Sequence, residues 1–374
     1  MKTVYLDNAA TTFIKPNCVI RDLNFCLKKY CGNPGRSSHK LSLMASEAIY
    51  SVREKVADLL YVNTPENVVF TYNATYALNI AIKSFVTEKC HIITSDFEHN
   101  SVIRPLEGLK NRLGIEYSII DGCSNILTSL KHLTRADTKG IVCSIASNVV
   151  GETLPLQVLS DYARDNSLFL IIDASQAIGH FDIDLSKTPC DALCAPGHKS
   201  LFGIQGSGFV WFKDNNRRET IIEGGSGSES ANINMPLLLP EGYEAGTLST
   251  PAIVSLGSGI DFISKVGIGA INERLNLLTN NLYDRLSSLK NVTVYRPGNG
   301  LVSFNISSMS SSLVASMLDK DGICVRGGLH CAPSVHTKLG TMNQGAVRAS
   351  FSYLNRRSDV DKLYSAIRDI LSVI

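Results

Sequence analysis

The chain has 374 residues, 44% hydrophobic and 19% charged, enough to bury more than one ordinary core, so a large and a smaller domain are expected and a disordered chain is not. Lys plus Arg number 36 against 34 for Asp plus Glu, and a net charge of +2 gives no electrostatic reason to expect nucleic acid or an anionic membrane as partner. No apolar run approaches the roughly 20 residues of a membrane span, and MKTVYLDNAATT lacks the flank and apolar stretch of a signal peptide, so a cytoplasmic location is expected.

In chain order, the first element is a helix over about 38–61, where Leu41, Ala45, Ala48, Ile49, Val52, Val56 and Leu59 recur at helical spacing. From about 67 to 212, short apolar runs alternate with helix-like segments, the rhythm of βα units around a mainly parallel sheet. VVFT (68–71), HIITS (91–95), YSII (117–120), GIVCSIA (140–146), SLFLIID (167–173), ALCA (192–195) and GFVWF (208–212) read as its strands. Several are apolar throughout, as strands covered on both faces require. GGSGSES at 224–230 reads as a flexible loop or a segment near the active site. After residue 258 come a long helical stretch, strand-like VTVY (292–295) and VSFNI (302–306), and a C-terminal helix with Val360, Leu363, Tyr364, Ile367 and Leu371 on one face, together a smaller α+β domain.

Ten cysteines are scattered without a CxxC pair, which favours reduced thiols over a disulfide framework. Asp173 ends an apolar strand, and the carboxyl edge of a parallel sheet is where open α/β folds bind ligands; an Asp there also suits a plain helix cap. Were the ligand pyridoxal-5′-phosphate (PLP), an Asp beside the ring nitrogen would keep it protonated. Lys199, in APGHKS, follows the strand 192–195 through a glycine-containing turn; a lysine alone is usually surface charge, but beside an aldehyde cofactor it forms a covalent imine and moves protons. Asn73, Ala74 and Thr75 open a helix beginning near Thr75, a place for phosphate or for simple N-capping. His99 follows a strand and suits stacking on an aromatic cofactor or solvation in a loop.

The sharpest segment is CVRGGLHCAPSVH at 324–336, which places Cys331 in a glycine-rich loop next to His330 and near Arg326, where cationic neighbours would favour the thiolate. Its His and Cys residues lack zinc-ligand spacing, so no metal is expected. Arg348, in GAVRASFSYLN, lies on a strand-like run where a guanidinium could clamp a substrate carboxylate.

The order and spacing of YLDNAATT, TYNATYALNIAI, DFEHNSVIRPL, SNVVGETLPL, IIDASQAIGHFDIDL, GHKSLFGIQGSGFVWF, EGGSGSES, YEAGTLSTP, VRGGLHCAP and GAVRASFSYLN resemble the cysteine desulfurase family of class V aminotransferase-like, fold-type I PLP enzymes over nearly the whole chain. The resemblance implies an α/β large PLP-binding domain with a seven-stranded sheet over 14–258 and a small α+β domain over 1–13 and 259–374 that carries the cysteine loop. It implies that Lys199 binds PLP covalently, that Asp173 pairs with the ring nitrogen, that Gln176 hydrogen-bonds the phenolic oxygen and that His99 stacks on the ring. Ala74, Thr75 and His198 match phosphate-binding positions, and Thr247 matches a phosphate contact from the other subunit of a homodimer. Asn148 and Arg348 match residues around the substrate carboxylate, Arg326 the arginine of the cysteine loop and Cys331 the sulfur-accepting nucleophile. The implied reaction turns L-cysteine, or L-selenocysteine in a selenocysteine lyase, into alanine, with the sulfur passing to Cys331 as a persulfide and then to an acceptor protein or thiol, as in iron–sulfur cluster assembly.

RGGLHCAP resembles the short-loop branch of the family. Pro196 stands where many relatives have Ser or Thr, which leaves the phosphate to Thr75, His198, Thr247 and backbone donors. Leu329 stands where short-loop relatives often have a second histidine, making His330 the nearer candidate acid or base. Another class V PLP reaction would give Cys331 no task, a non-catalytic scaffold would not need Lys199, Asp173, Cys331 and Arg348 together, and a dinucleotide enzyme would need a GxGxxG after the first strand that the chain lacks.

Overall fold

A computed structural model describes residues 3–372 apart from 36–37, 215–219, 229–230 and 308; the last two residues of the GGSGSES patch therefore lie outside the described residues. Strand β1 (Val4–Tyr5) precedes helices α1 (Asn17–Lys29) and α2 (Lys40–Leu59). Then follow β2 (Val68–Thr71), α3 (Ala74–Phe85), β3 (His91–Ser95), α4 (Asn100–Leu113), β4 (Glu116–Ile120), α5 (Ile126–Leu133), β5 (Thr138–Ser144), α6 (Leu156–Asp165), β6 (Phe169–Asp173), β7 (Ala192–Pro196) and β8 (Gly208–Phe212). The remainder comprises α7 (Thr250–Val266), α8 (Ile268–Ser287), β9 (Val292–Val294), β10 (Leu301–Ile306), α9 (Ser311–Lys320), β11 (Ile323–Cys324), β12 (Arg326–Gly328), α10 (Pro333–Lys338), β13 (Ala346–Ser350) and α11 (Arg357–Ser372).

Strands β2 to β8 form the expected seven-stranded sheet in the order β2-β8-β7-β6-β5-β3-β4. Neighbouring strands from β7 to β4 pair in parallel, and β8 runs against both of its neighbours. Successive side chains of a strand point to opposite faces, and here both faces are dry. Ile141, Cys143, Leu170 and Ile172 join one core, while Val142 and Ile171 join a second core with Ala77 and Leu78 of α3 and Val102 and Leu106 of α4. This double cover explains why these strands read as unbroken apolar runs, and each buried Val, Leu or Ile contributes about 1.5–3 kcal/mol.

The smaller lobe is built on a four-stranded antiparallel sheet, β12-β13-β10-β9, and β1 pairs in parallel with β11, which brings the N-terminal segment to that lobe. Its core is continuous with that on one face of the large sheet. Helix α7 crosses residue 258 and packs on α1 and α2. Among the described residues no single helix is long and apolar enough to cross a membrane. Gly259 lets α7 lie against the turn after β7, because a Cβ there would stand 1.8 Å from the Leu201 carbonyl oxygen, two residues beyond Lys199.

The edge strand β2 is held by a buried ion pair. Arg53 of α2 donates to Glu244 at 2.5 Å and to the Val68 carbonyl and sits 4.6 Å over the Phe70 ring, and the other Glu244 oxygen accepts from the Phe70 N–H at 2.6 Å. Removing one partner strands a buried charge, so Glu244→Ala should lower the unfolding free energy by about 3–5 kcal/mol in denaturant titrations.

Candidate active site

The turns that leave the carboxyl edge of the sheet carry polar residues toward one point. The turn after β2 presents Ala74 and Thr75, that after β3 presents His99, that after β5 presents Asn148, the end of β6 presents Asp173 and Gln176, and that after β7 presents His198 and Lys199. With Arg326, His330 and Arg348 from the smaller lobe, they line one cavity of about 300 Å³. A wider open groove of about 1140 Å³ between the end of α2, α7 and α8 holds none of the candidate residues.

The N-terminal motif acts as a clasp across this cavity. Asp7 accepts from Arg348 at 2.9 Å, the Ala9 carbonyl accepts from Gln176 at 3.0 Å, and the hydroxyls of Thr11 and Thr12 both donate to the His198 carbonyl at 3.1 Å. Lys15 extends the clasp by donating to the Gly203 carbonyl at 2.7 Å. These bonds fix the backbone on either side of Lys199.

Asp173 accepts from the Ser175 N–H at 2.9 Å and lies 3.2 Å from the Ser144 hydroxyl. Burial pushes the Lys199 amine down to about 8, against the pull of Asp173 and with help from Arg348 and Arg326. His99, expected in a loop, is the N-cap of α4 and accepts from the Ser101 N–H at 3.0 Å. Burial, and then the charge of Lys199, hold its pKa near 4, so its ring is neutral at physiological pH. Burial likewise lowers His198 to about 4, and its Nδ1 has no hydrogen-bond partner.

Arg348 is 1% exposed. It donates to the Asn148 carbonyl at 2.8 Å and to Asp7, while its Nε and the Asn148 side-chain oxygen are buried without partners. Unpaired buried polar atoms are costly unless a ligand completes them, and both residues line the cavity.

Cys331 is exposed at the tip of its loop, with positive φ angles of 51° at His330 and 57° at Cys331. The loop is pinned: the Cys331 carbonyl accepts from Asn100 N–H at 2.7 Å and the His330 carbonyl from Asn148 at 2.7 Å. Arg326 reaches to 3.9 Å from the Cys331 sulfur. His330, expected as an acid or base, is buried, its Nδ1 lies 3.4 Å from His336 and its Nε2 lies 3.3 Å from the Arg326 carbonyl. Burial drives its pKa to about 2, so the ring is a neutral anchor for the loop rather than a proton carrier. Thr247 is exposed and lies outside this chain's own cavity, in an apolar recess with Tyr72 and Tyr76. Among the described residues no cluster of His, Cys, Asp or Glu could hold a metal ion.

Reading the sequence residue by residue missed Asp7, Glu98, Ser101 and Ser144. Ser101 lines the cavity, and its hydroxyl lies 2.8 Å from that of Thr75, supplying a second hydroxyl near the strand end where Pro196 offers none. Asp7 carried the one available signal, its place in YLDNAATT.

Residues 4–363 match the model of the aminotransferase class-V family. The chain belongs to this family, whose members use PLP. It is 31% identical over 96% of its length to a probable cysteine desulfurase of Halalkalibacterium halodurans, of which it covers 91%. A probable cysteine desulfurase of Methanothermobacter thermautotrophicus is 30% identical, with 98% of this chain and 94% of that protein covered. The apo structure of a cysteine desulfurase from Thermococcus onnurineus superposes with a TM-score of 0.92 at 28% identity, covering 100% of this chain and 95% of that one.

The cavity fits PLP by its own chemistry. It offers a half-buried amine of lowered basicity, a carboxylate at a strand end, a neutral imidazole, and the Nδ1 of His198, unpartnered among the described residues, in a cavity that also includes the N-terminus of α3, which favours an anion. Because Lys199 is the reactive amine only when neutral, aldehyde capture by the apoprotein should speed up as pH rises through about 8 and level off above it. The folded pKa lies below the ordinary 10.5, so the stability associated with this lysine is present above 10.5 and lost as pH falls toward about 8. Lys199→Met should therefore unfold at higher denaturant than the parent at neutral pH and match it at strongly alkaline pH.

Proposed function

We propose that this chain is a PLP-dependent cysteine desulfurase in which Cys331 accepts the sulfur of L-cysteine. The observation that carries this reading is an exposed thiol on a pinned loop whose Arg326 and His330 line the same cavity as a half-buried lysine and a strand-end aspartate. When bound, PLP supplies an electron sink for the negative charge that develops at the substrate Cα.

Arg348 would orient the substrate carboxylate through the Nε–H that the protein leaves unpaired, with Asn148 beside it in the same cavity, and Arg326 would add positive charge. Asp173 would pair with the ring nitrogen, and His99, as a neutral imidazole, would cover the ring face. Thr75, His198, Ala74 and the neighbouring Ser101 would hold the phosphate, and Gln176 the phenolic oxygen. Lys199 would hold the cofactor through its amine, and that amine, when free, would take the substrate Cα proton and later return protons to the product carbon.

In the sulfur step the Cys331 thiolate attacks the substrate sulfur. A bond forms between the two sulfurs, the substrate Cβ–S bond breaks, and its electron pair stays with the carbon, which gains a proton. The sum is L-cysteine plus a Cys331 thiol giving L-alanine plus a Cys331 persulfide, and a thiol on an acceptor then removes the outer sulfur. A loop pinned at both the His330 and Cys331 carbonyls leaves the sulfur little swing, which favours an acceptor that docks at the cavity mouth.

The reading includes a homodimer in which Thr247 serves the partner's phosphate site. Its support is that Thr247 lies outside its own cavity, in an exposed recess with Tyr72, Tyr76 and Ile222.

Cys331→Ala should bind PLP normally yet form alanine from L-cysteine at a small fraction of the parent rate; alanine formation at the parent rate would remove Cys331 from the mechanism. Arg348→Lys keeps a charge but loses the Nε–H left over for the substrate carboxylate and the planar fork that holds Asp7 and the Asn148 carbonyl, so its KM for L-cysteine should rise about tenfold or more in steady-state assays.

A further inference from the structure

Behind Asp173, on the side away from the cavity, lies a second carboxyl group that the chemistry above does not use. Glu98 is 0% exposed. Its Oε1 accepts from the Ser95 hydroxyl at 2.5 Å and from the Ser144 N–H at 2.9 Å, and its Oε2 lies 2.9 Å from the Ser144 hydroxyl oxygen. That same hydroxyl oxygen lies 3.2 Å from Oδ2 of Asp173.

Ser144 thus stands between two carboxyl groups with a single hydroxyl proton to give. It can donate to one of them, and its contact with the other is attractive only if that carboxyl brings a proton of its own. The surroundings decide which one does. Asp173 faces a cavity that also holds Lys199, Arg326 and Arg348. Glu98 faces hydroxyls, the Cys143 thiol on β5 and Asp173 on β6, and among the described residues no cation pairs with it. Two adjacent buried carboxylates without a cation between them are expensive, so the enclosed one keeps the proton.

We propose that Glu98 is a positioning residue that stays a neutral acid, gives its Oε2 proton to Ser144, and through the Ser144 hydroxyl holds Asp173 as an anion turned toward the cavity. The donor on each Asp173 oxygen, Ser175 N–H at 2.9 Å on Oδ1 and Ser144 on Oδ2, then fixes the plane of that carboxylate. Burial pushes Glu98 up to about 8, so the proton remains in place at neutral pH and leaves in mild alkali. What the oriented anion does for the cofactor rests on the desulfurase reading; the hydrogen-bond chain itself does not.

The test is infrared difference spectroscopy on the apoprotein, which needs neither cofactor nor turnover. The parent should show the carbonyl stretch of a protonated carboxyl at neutral pH, fading as pH rises through about 8. Glu98→Gln should lack that band, while Asp173→Asn should retain it. Ser144→Ala should keep the band but move it to higher frequency, since the acid has lost its acceptor, and should shift the carboxylate stretches assigned to Asp173 by the Asp173→Asn difference. No carbonyl band in the parent at neutral pH would overturn the proposal, as would a band that vanishes in Asp173→Asn and persists in Glu98→Gln. The pH titration of the parent stands alone if a variant fails to fold. A missing band alongside normal conversion of L-cysteine to alanine would sink the hydrogen-bond chain and leave the desulfurase reading intact; a band without conversion would do the reverse.

Discussion

The guanidinium of Arg348 joins three parts of the chain that lie far apart in sequence. From β13 of the smaller lobe it reaches the Asn148 carbonyl after β5 of the large sheet and the Asp7 carboxylate after β1. Burying a guanidinium costs several kcal/mol unless its donors are matched, and here Asp7 and a backbone carbonyl match them. The donor left over, Nε–H, belongs to a residue that lines the cavity. One side chain therefore sets the relative position of the lobes and leaves a hydrogen bond for a ligand anion to complete.

Around that anchor the cavity separates groups that can shed a proton from groups that keep theirs. Lys199, His99 and His198 are all pushed toward their neutral forms by burial, while the fixed cations Arg326 and Arg348 lie on the side of the smaller lobe. Such an arrangement keeps an amine available as nucleophile and base while an anionic substrate is held by groups that cannot lose their protons. The cysteine loop is braced in the same economical manner, by backbone carbonyls and a neutral pair of stacked rings, His330 and His336, 5.6 Å apart.

Most of the large sheet was legible in the residues because its strands are covered on both faces: unbroken runs such as FLIID and GFVWF have few other solutions in a chain of this kind. Helix α2 was equally plain from its repeat, and starts at Lys40. The polar residues at strand ends, Asp173 and Lys199, were readable as candidates since the carboxyl edge of such a sheet is where turns converge. What stayed hidden depends on partners distant in sequence. Nothing in SDFEHNSV separates the buried Glu98 from its neighbour Asp96, because Ser144, the residue that makes burial of Glu98 tolerable, lies at the end of another strand. His330 read as a candidate acid or base for a related reason: its partner His336 is close in sequence, but the burial of the ring beside an exposed thiol goes with the left-handed backbone at 330 and 331.

The N-terminal clasp bears on how the molecule is made. Asp7 meets Arg348 across 341 positions, and Thr12 meets His198 across 186. During synthesis the first of these contacts must wait until residue 348 has left the ribosome, and closing so long a loop is among the slower events in folding. A nascent chain can lay down the parallel sheet early, but the clasp over its carboxyl edge closes only after Arg348 has emerged, so the complete cavity is a late product of synthesis.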